Sequence, residues 1–307
     1  MLGTKGNVMQ SVTFALDESG AKGYSDNREK VRGELGVVAG VLVPGEHLTR
    51  VTSDIELIIE KFKTKGKLHI TDLPSSHQEA LRNEIFTYLS SVNARWVYEA
   101  MYVEGLYSYA QLVSSIRDKA KENRHSSVKV SGNEKKDLLH SELLLGAFGK
   151  AVAFCCDYVG EEAHLNVITD QLDSPIIKAF RKDADRLLNV GNKKEYEVTG
   201  FDIDTQNVVR GSISTEVIEG HDVLGDFSGI SYKIEVSDSP LTLVADIIAN
   251  SIHHHLSSLQ ANNPGCQLNT LDAISGHPLS ELVYGVTGQE IDTLQIADTI
   301  FRYPSDE

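Results

Sequence analysis

The feature that most constrains the fold is the segment Leu35–Val43 (LGVVAGVLV), in which every residue is apolar or glycine and which ends at Pro44-Gly45. Its length and its valines favour a β-strand over a helix. A strand without polar side chains has to be covered on both faces, and helices packed on both sides of a sheet provide that cover. The sequence therefore predicts an α/β protein.

Predicted strands and helices alternate along the rest of the chain. β-Branched or alternating patterns predict strands at 11–16, 95–103, 164–169, 195–203, 208–217 and 231–236. Amphipathic or strongly apolar patterns predict helices at 47–63, 75–91, 138–158, 175–189, 240–259 and near 289–301. Asp238 or Ser239 is the expected cap of the helix that Pro240 opens. We expect one domain over residues 1–307, with a helical insertion near 104–160 and a C-terminal extension over 262–307.

Charge excludes one class of nucleic-acid-binding protein. The chain has 44 acidic and 29 basic residues, for a net charge of −15, so it does not coat nucleic acid through a generally basic surface. A nuclease stays compatible with this charge, because acids can surround metal ions while a local segment stays basic. Residues 117–137 contain seven basic and four acidic side chains. We hypothesise that the segment Arg117–Lys136 contacts a phosphate backbone; a solvated surface loop is the alternative.

Cysteine usage and hydropathy indicate the compartment. Cys155 and Cys156 are adjacent and Cys266 is remote, which matches neither a disulfide framework nor a zinc site. The first ten residues lack the layout of a signal peptide, and no run of about 18 apolar residues is present. We expect a cytoplasmic protein that does not span a membrane; a partner protein or a homo-oligomer is compatible with this pattern.

Three aspartates are candidates for a shared site. Asp17 follows the first strand, Asp170 follows the strand at 164–169, and Asp246 lies inside an apolar helix. Ligands of α/β sheets gather at the carboxyl ends of strands. Two carboxylates about 4 Å apart repel by roughly 4 kcal/mol at an effective dielectric constant near 20, so a proton or a cation has to neutralise them. Each also has a structural alternative: Asp17 as a turn residue, Asp170 as the cap of the next helix, and Asp246 as a solvent-facing residue of an amphipathic helix.

The motifs around these aspartates resemble a widespread bacterial family, known as a domain of unknown function, that has a ribonuclease H-like fold. The resemblance covers about residues 12–256 and is carried by FALDESG (14–20), LGVVAGVLV (35–43), KLHITDL (67–73), NVITDQ (166–171) and SDSPLTLVADIIAN (237–250). It implies a ribonuclease H-like mixed central sheet flanked by helices. It also implies metal-dependent nuclease chemistry, with Asp17, Asp170 and Asp246 as ligands of Mg²⁺ or Mn²⁺, and an association with mobile elements or phage defence.

The resemblance further implies a fourth acid, for which two residues compete. Glu142 precedes the Asp170 strand on the apolar helix 138–158 and is the candidate for a fourth metal ligand. Glu18 directly follows Asp17. Neighbouring residues of an extended strand point to opposite faces, so Glu18 cannot face the same way as Asp17 if it still belongs to the strand. Both glutamates are retained as candidate catalytic residues.

Other polar residues near these motifs have two interpretations each. Asp72 either approaches the site from a loop or caps the helix that begins near residue 75. Asn250 and His253 follow Asp246 by four and seven residues and share its helix face, where they either support the site or simply end the helix. Three consecutive histidines, from His253 to His255, point in three directions and cannot all bind one metal.

The predicted function is hydrolysis of phosphodiester bonds in RNA or DNA through a carboxylate-held Mg²⁺ or Mn²⁺ site. In such a site, oxygen ligands select hard divalent ions, which activate water and stabilise the leaving oxygen. One alternative is a catalytically inactive scaffold of the same fold that acts as a binding or regulatory subunit. A nucleotide-binding enzyme is a third hypothesis, although no P-loop pattern is present.

Overall fold

The structure, a computed structural model, describes residues 10–21, 33–62, 68–122, 138–160, 162–189, 194–202, 205, 207–215, 227, 229–285 and 298. Its strands are β1 (Gln10–Gly20), β2 (Leu35–Pro44), β3 (Arg95–Tyr102), β4 (Ala163–Thr169), β5 (Lys194–Asp202), β6 (Asn207–Thr215) and β7 (Ile230–Val236). Its α-helices are α1 (Gly45–Ile59), α2 (Ser75–Ser91), α3 (Val103–Glu122), α4 (Leu138–Tyr158), α5 (Ser174–Leu188) and α6 (Pro240–Asn262).

Five strands form one mixed sheet in the order β3-β2-β1-β4-β7. β1, β2 and β3 pair antiparallel with their neighbours, whereas β4 runs parallel to both β1 and β7. β5 and β6 form a separate antiparallel hairpin. The predicted α/β class, with a mixed sheet flanked by helices, is confirmed.

Helices cover both faces of this sheet. The face that carries Ala15 packs against α1, α2 and α6, and the face that carries Phe14 and Leu16 packs against α4 and α5. β2 is buried at every position except its last, Pro44. The unbroken apolar segment of the sequence is therefore explained by its position inside a sheet that is covered on both sides.

Helix α4 forms one of the two covering layers. The sequence predicts an insertion over residues 104–160, but Leu144, Phe148 and Val152 of α4 are fully buried against the sheet. Among the described residues, the span Leu139–Tyr158 is the one helix long and apolar enough to cross a membrane, and 61% of it is buried inside the protein. The buried part of this span packs against the central sheet.

Strand β1 is longer than predicted. The sequence predicts that it ends before Asp17, but it continues to Gly20. Its parallel pairing with β4 stops at Leu16, while its antiparallel pairing with β2 continues through Asp17 as far as Gly20. The polar Asp-Glu-Ser-Gly segment stays extended because β2 still supplies backbone partners on one side.

Helix α6 begins with a capping box. Of the two caps that the sequence allows, Ser239 is the one used: its side chain accepts a hydrogen bond from the Thr242 backbone, and the Thr242 side chain accepts one from the Ser239 backbone. These bonds satisfy backbone groups that the first helical turn leaves unpaired. The start of α6, and with it the position of Asp246, is thereby set.

The segment after α6 covers the free edge of β3. Tyr284 donates its backbone N–H to the Trp96 carbonyl at 2.8 Å. The Asn269 side chain accepts from the Ala100 N–H at 2.8 Å and donates to the Ala100 carbonyl at 2.9 Å. An amide side chain thus takes the place of a neighbouring strand at a sheet edge that would otherwise be open to pairing with another chain.

Replacing Asn269 by alanine is expected to destabilise the protein by about 2 kcal/mol or more, because two buried backbone groups of Ala100 lose their partners. Urea denaturation followed by circular dichroism measures the change. Asn262→Ala is the matched control, since within the described part of the chain this exposed amide bonds to its own helix, at the Ser258 carbonyl 2.9 Å away. Equal stability of the two variants would contradict the proposed role of Asn269 at the sheet edge.

Candidate functional site

Asp17 of β1 and Asp170, the residue that directly follows β4, come near each other at one end of the paired strands. Leu16 of β1 is level with Thr169, the last residue of β4, so Asp17 and Asp170 each come directly after the last paired residues of the two strands. Asp17 shares the sheet face of Ala15, which packs under α6, and only 9% of it is exposed. The parallel register thus brings together two aspartates that lie far apart in the sequence.

Asp246 reaches the same place from α6. Its Oδ2 atom accepts a hydrogen bond from the backbone N–H of Ile70 at 3.0 Å and lies 3.9 Å from Nδ1 of His69. These contacts tie the middle of α6 to the short 3₁₀ turn Ile70–Asp72. We call the region between Asp17, Asp170 and Asp246 the acidic crevice.

The charges of the crevice act on Asp17 and on Asp246. Burial raises the pKa of Asp17 to about 8, and the negative charges of Glu18, Asp246 and Asp170 add to the increase. Burial also raises the pKa of Asp246, together with the charges of Asp170 and Asp72, while the Ile70 hydrogen bond and His69 oppose the shift. The crevice is therefore a place where a proton or a cation relieves repulsion.

The side chains do not by themselves form a ready-made cation cage. Within the part of the chain that the structure describes, no group of three or more His, Cys, Asp or Glu side chains stands in an arrangement that could hold a metal ion. What the crevice provides is the donor chemistry: carboxylate oxygens, which are the ligands that hard divalent ions prefer.

Glu18 lies on the opposite face of the sheet from Asp17. Because β1 continues through this residue, its side chain points toward α4, where Oε2 lies 3.6 Å from Nε2 of the buried His140. Its backbone N–H donates to Oδ1 of Asp17 at 2.8 Å. Glu18 therefore adds negative charge near the crevice and orients the Asp17 carboxyl, while its own carboxyl faces away from the crevice.

Glu142 of α4 faces its neighbouring helix. Burial raises the pKa of its carboxyl group, and the charge of Asp183 on α5 adds to this effect. The charged group that shifts the pKa of Glu142 therefore belongs to α5. Glu142 is not among the groups that shift the pKa of Asp17 or of Asp246. Asp170 and Asp246 are thus electrostatic neighbours of Asp17, whereas the electrostatic neighbour resolved for Glu142 is Asp183 of α5.

Two residues near the crevice were not singled out by sequence reasoning. His69 contacts Asp246, and Arg82 of α2 donates to Oδ1 of Asn250 at 3.3 Å. Asn250 lies one helical turn beyond Asp246, so Arg82 brings a positive charge to the same helix face. The resemblance of KLHITDL was the signal that could have pointed to His69; no pattern in the sequence marks Arg82.

Asp72 joins the crevice rather than the helix that follows it. The N-terminal cap position of α2 is Pro74 and has no side-chain hydrogen bond, so Asp72 does not cap this helix. Its charge acts instead on Asp246. Of the two interpretations of Asp72 from sequence, the approach from a loop is the one that the structure supports.

The three consecutive histidines point in separate directions, as the sequence indicates. His255 pairs with the Ala273 carbonyl at 3.1 Å, and His254 is exposed. His253 hydrogen-bonds the backbone of Leu35, and burial lowers its pKa. It lies against Gly20, where an added Cβ would be 2.4 Å from its Nε2. Gly20 is three residues past Asp17, about 10 Å along the strand, so His253 lies beyond the acidic crevice.

The basic segment Arg117–Lys136 begins in α3, and its residues 123–136 lie outside the described residues, as does the predicted helix near 289–301 apart from the helical residue Asp298. The hypothesis that this segment contacts a phosphate backbone stays a prediction. Comparisons with protein-family models, with curated proteins and with solved structures find no match to this chain.

Proposed function

We propose that this protein is a metal-dependent nuclease that hydrolyses phosphodiester bonds in RNA or DNA. The observation that supports the proposal is the acidic crevice, in which burial and the nearby charges of Asp246 and Asp170 raise the pKa of Asp17, and burial and the charge of Asp170 raise the pKa of Asp246. A protein that keeps three mutually repelling carboxyl groups in one place gains stability when a divalent ion binds there.

The donor set fits Mg²⁺ or Mn²⁺. Asp17, Asp170 and Asp246 would be the residues that hold the ion. Because no three described side chains already stand as ligands, the proposal requires these carboxyl groups to turn toward the ion on binding. A bound ion of this kind supplies a nucleophilic water at neutral pH and stabilises the charge on the leaving oxygen.

Neighbouring residues have supporting roles in this proposal. The Ile70 N–H and His69 orient Asp246, and the Glu18 N–H orients Asp17. The Arg82 guanidinium, held by Asn250, supplies positive charge for a phosphate group beside the acids. Glu142, which lies against α5, is not assigned a metal in this arrangement.

The finer description of the fold belongs to the same proposal. The motifs that resemble the ribonuclease H-like family lie on β1, β2, β4 and α6, the elements that position the crevice. The mixed sheet with helices on both faces is what that resemblance implies. We therefore propose a ribonuclease H-like domain that works in the cytoplasm, with nucleic acid as its substrate and with an association with phage defence that rests on the resemblance.

The test is cleavage of labelled RNA and DNA by the full chain in Mn²⁺, in Mg²⁺ and in EDTA. We expect cleavage only with metal, and a loss of at least about a thousandfold in Asp246→Ala and in Asp170→Asn, since several kcal/mol of charge stabilisation is removed. Glu79→Gln, an exposed carboxyl group on α2, is the matched control and should retain activity.

Two outcomes would contradict the proposal. Cleavage that continues in EDTA, or that survives Asp246→Ala, would assign the activity to another site or to a contaminant. Metal-independent binding of nucleic acid without cleavage would favour the inactive scaffold instead, in which the same fold acts as a binding or regulatory subunit.

A further inference from the structure

A second concavity lies at the opposite end of the central sheet from the acidic crevice. Its volume is about 380 Å³, and it is lined by residues from the end of β2, from α1, from the turn between α2 and β3, and from the end of α4. Pro44 is level with Val12 of β1, whereas Asp17 is level with Ala39. Five residues of strand, about 16 Å, therefore separate the two sites.

The lining of this cavity is positively charged. Arg50, Arg95 and His47 line it, and its described lining residues include no carboxylate. This is unusual in a chain with 44 acidic and 29 basic residues. Arg50 has no hydrogen bond or ion pair within the described part of the chain, and Arg95 makes one hydrogen bond, to the Glu281 carbonyl at 3.2 Å, which leaves its charge uncompensated.

Three acids lie close in sequence to this lining, and each accepts a hydrogen bond from a tyrosine: Asp157 accepts one from the Tyr284 hydroxyl. Glu46 accepts a hydrogen bond from the Tyr158 hydroxyl at 3.1 Å, and Asp54 accepts one from the Tyr88 hydroxyl at 2.9 Å. None of these carboxylates lines the cavity. Among the described residues, no carboxylate is a hydrogen-bond or ion-pair partner of Arg50 or Arg95, so both guanidinium groups can contact a ligand that carries negative charge.

The backbone of α1 adds to the positive character. Its first turn borders the cavity through Pro44 and His47, and its N-terminal cap position has no side-chain hydrogen bond. The N–H groups of a first helical turn carry partial positive charge, which favours an anion. This contribution is secondary to that of the two arginines.

The rest of the cavity is apolar and includes an aromatic ring. Leu42, Val51, Ala94 and Phe154 contribute the apolar wall. The Tyr158 ring stacks on Phe154, with centroids 5.4 Å apart and an angle of 15° between the planes, and 49% of Tyr158 is exposed. One face of this ring is supported by Phe154, and a flat ligand group can stack on an exposed ring of this kind.

We propose that this cavity binds a small phosphomonoester that carries a flat ring, of the size of a mononucleotide. Two guanidinium groups match the charge of about −1.5 to −2 on a phosphomonoester, whereas a single carboxylate would leave one of them unpaired. The volume is near the lower end of the roughly 300–1,000 Å³ typical of small-molecule sites, which excludes a much larger ligand. The proposal is independent of nuclease activity at the acidic crevice.

The test is isothermal titration calorimetry of the full chain with AMP, UMP, ribose 5-phosphate, inorganic phosphate and benzoate. EDTA is present throughout, so that metal-mediated binding of phosphate at the acidic crevice does not contribute. We expect AMP and UMP to bind more tightly than ribose 5-phosphate or inorganic phosphate, and benzoate to bind most weakly. Arg50→Ala and Arg95→Ala should each weaken AMP binding roughly tenfold to a hundredfold, because a charge-assisted contact is lost.

Two further variants separate the contributions. Tyr158→Leu should weaken the binding of AMP and leave that of ribose 5-phosphate unchanged. Arg181→Ala on α5, far from the cavity, is the matched control, and thermal melting shows that each variant is folded. Absence of AMP binding, or AMP binding that is unaffected by both arginine variants, would overturn the proposal. Benzoate binding as tight as that of AMP would overturn the choice of phosphate, and equal binding of AMP and inorganic phosphate would overturn the role of the ring.

Discussion

Replacing Asp17 by asparagine is expected to stabilise the metal-free protein at alkaline pH while abolishing metal-dependent cleavage. Burial and the neighbouring carboxylates raise the pKa of Asp17 to about 8 in the folded state, compared with about 3.9 in an unfolded chain. A carboxyl group whose pKa rises on folding contributes stability below its unfolded pKa and loses that contribution as the pH rises through its folded pKa. The parent protein should therefore lose stability between about pH 4 and pH 8, whereas asparagine has no charge to bury.

The substitution is a conservative one. The asparagine oxygen can still accept the hydrogen bond that the Glu18 N–H donates to Oδ1 of Asp17, so the local backbone keeps its partner. The expected gain at about pH 9 is on the order of a few kcal/mol, since each unit of pKa shift corresponds to roughly 1.4 kcal/mol. The cost to function is large, because a neutral amide does not supply the negative charge that a carboxylate ligand of divalent ions provides.

Calorimetry in EDTA at about pH 5, 7 and 9 measures this prediction. The melting temperatures of the parent and of Asp17→Asn should diverge as the pH rises, and Glu79→Gln should follow the parent. Excess Mg²⁺ should restore stability to the parent at high pH but not to the variant. Parallel curves for all three proteins would show that Asp17 is not held in a repulsive environment, and the electrostatic basis of the proposed site would be lost.

Replacing Lys150 by methionine is expected to cost about 3–5 kcal/mol, because it leaves the buried Glu99 without a counter-charge. Nζ of Lys150 lies 2.8 Å from Oε2 of Glu99, and the exposed fractions of the two side chains are 15% and 9%. The same ammonium group donates to the Tyr98 carbonyl at 2.5 Å, on the free edge of β3. One side chain therefore neutralises a buried acid and satisfies a backbone group of an edge strand.

A double variant separates these roles. Lys150→Met with Glu99→Leu removes both charges and should recover most of the lost stability, since it is the uncompensated charge that costs most. Burial raises the pKa of Glu99, and Lys150 opposes that shift. The defect of Lys150→Met should therefore be larger at about pH 8 than at about pH 5, where Glu99 can take up a proton. Urea denaturation of the single and double variants measures both effects; a loss below about 1 kcal/mol in the single variant would place this pair among weak surface contacts.

Much of the fold is predictable from local patterns. The apolar segment Leu35–Val43 implies a strand with no exposed face, and β2 is that strand. The periodicity of apolar residues locates α2 and α4 at their observed bounds. These predictions succeed because burial in a covered sheet, or on one face of a helix, determines at which positions along the sequence the apolar residues recur.

Side-chain directions around the crevice are less predictable. Neighbouring residues of a strand point to opposite faces, so Glu18 and Asp17 lie on opposite faces of the sheet only if β1 continues past Asp17. The pairing of β1 with β2 extends the strand to Gly20. Glu142 occupies a plausible place in the order of elements, yet the packing of α4 on α5 directs it toward Asp183. Helix rotation and strand end points depend on neighbours that are distant in the sequence.

The amino-acid sequence alone determined the α/β class, the positions of most elements, and the three aspartates that the resemblance groups together, because hydrophobic periodicity and short motifs are local properties of the chain. Only the tertiary structure decided that Leu16 is level with Thr169, that Ile70 and His69 hold Asp246, and that Arg50 and Arg95 line one cavity. The register of parallel strands and the contacts between loops and helices follow from packing across the whole domain. No local pattern predicts them, because each depends on the packing of several segments that are distant in the sequence.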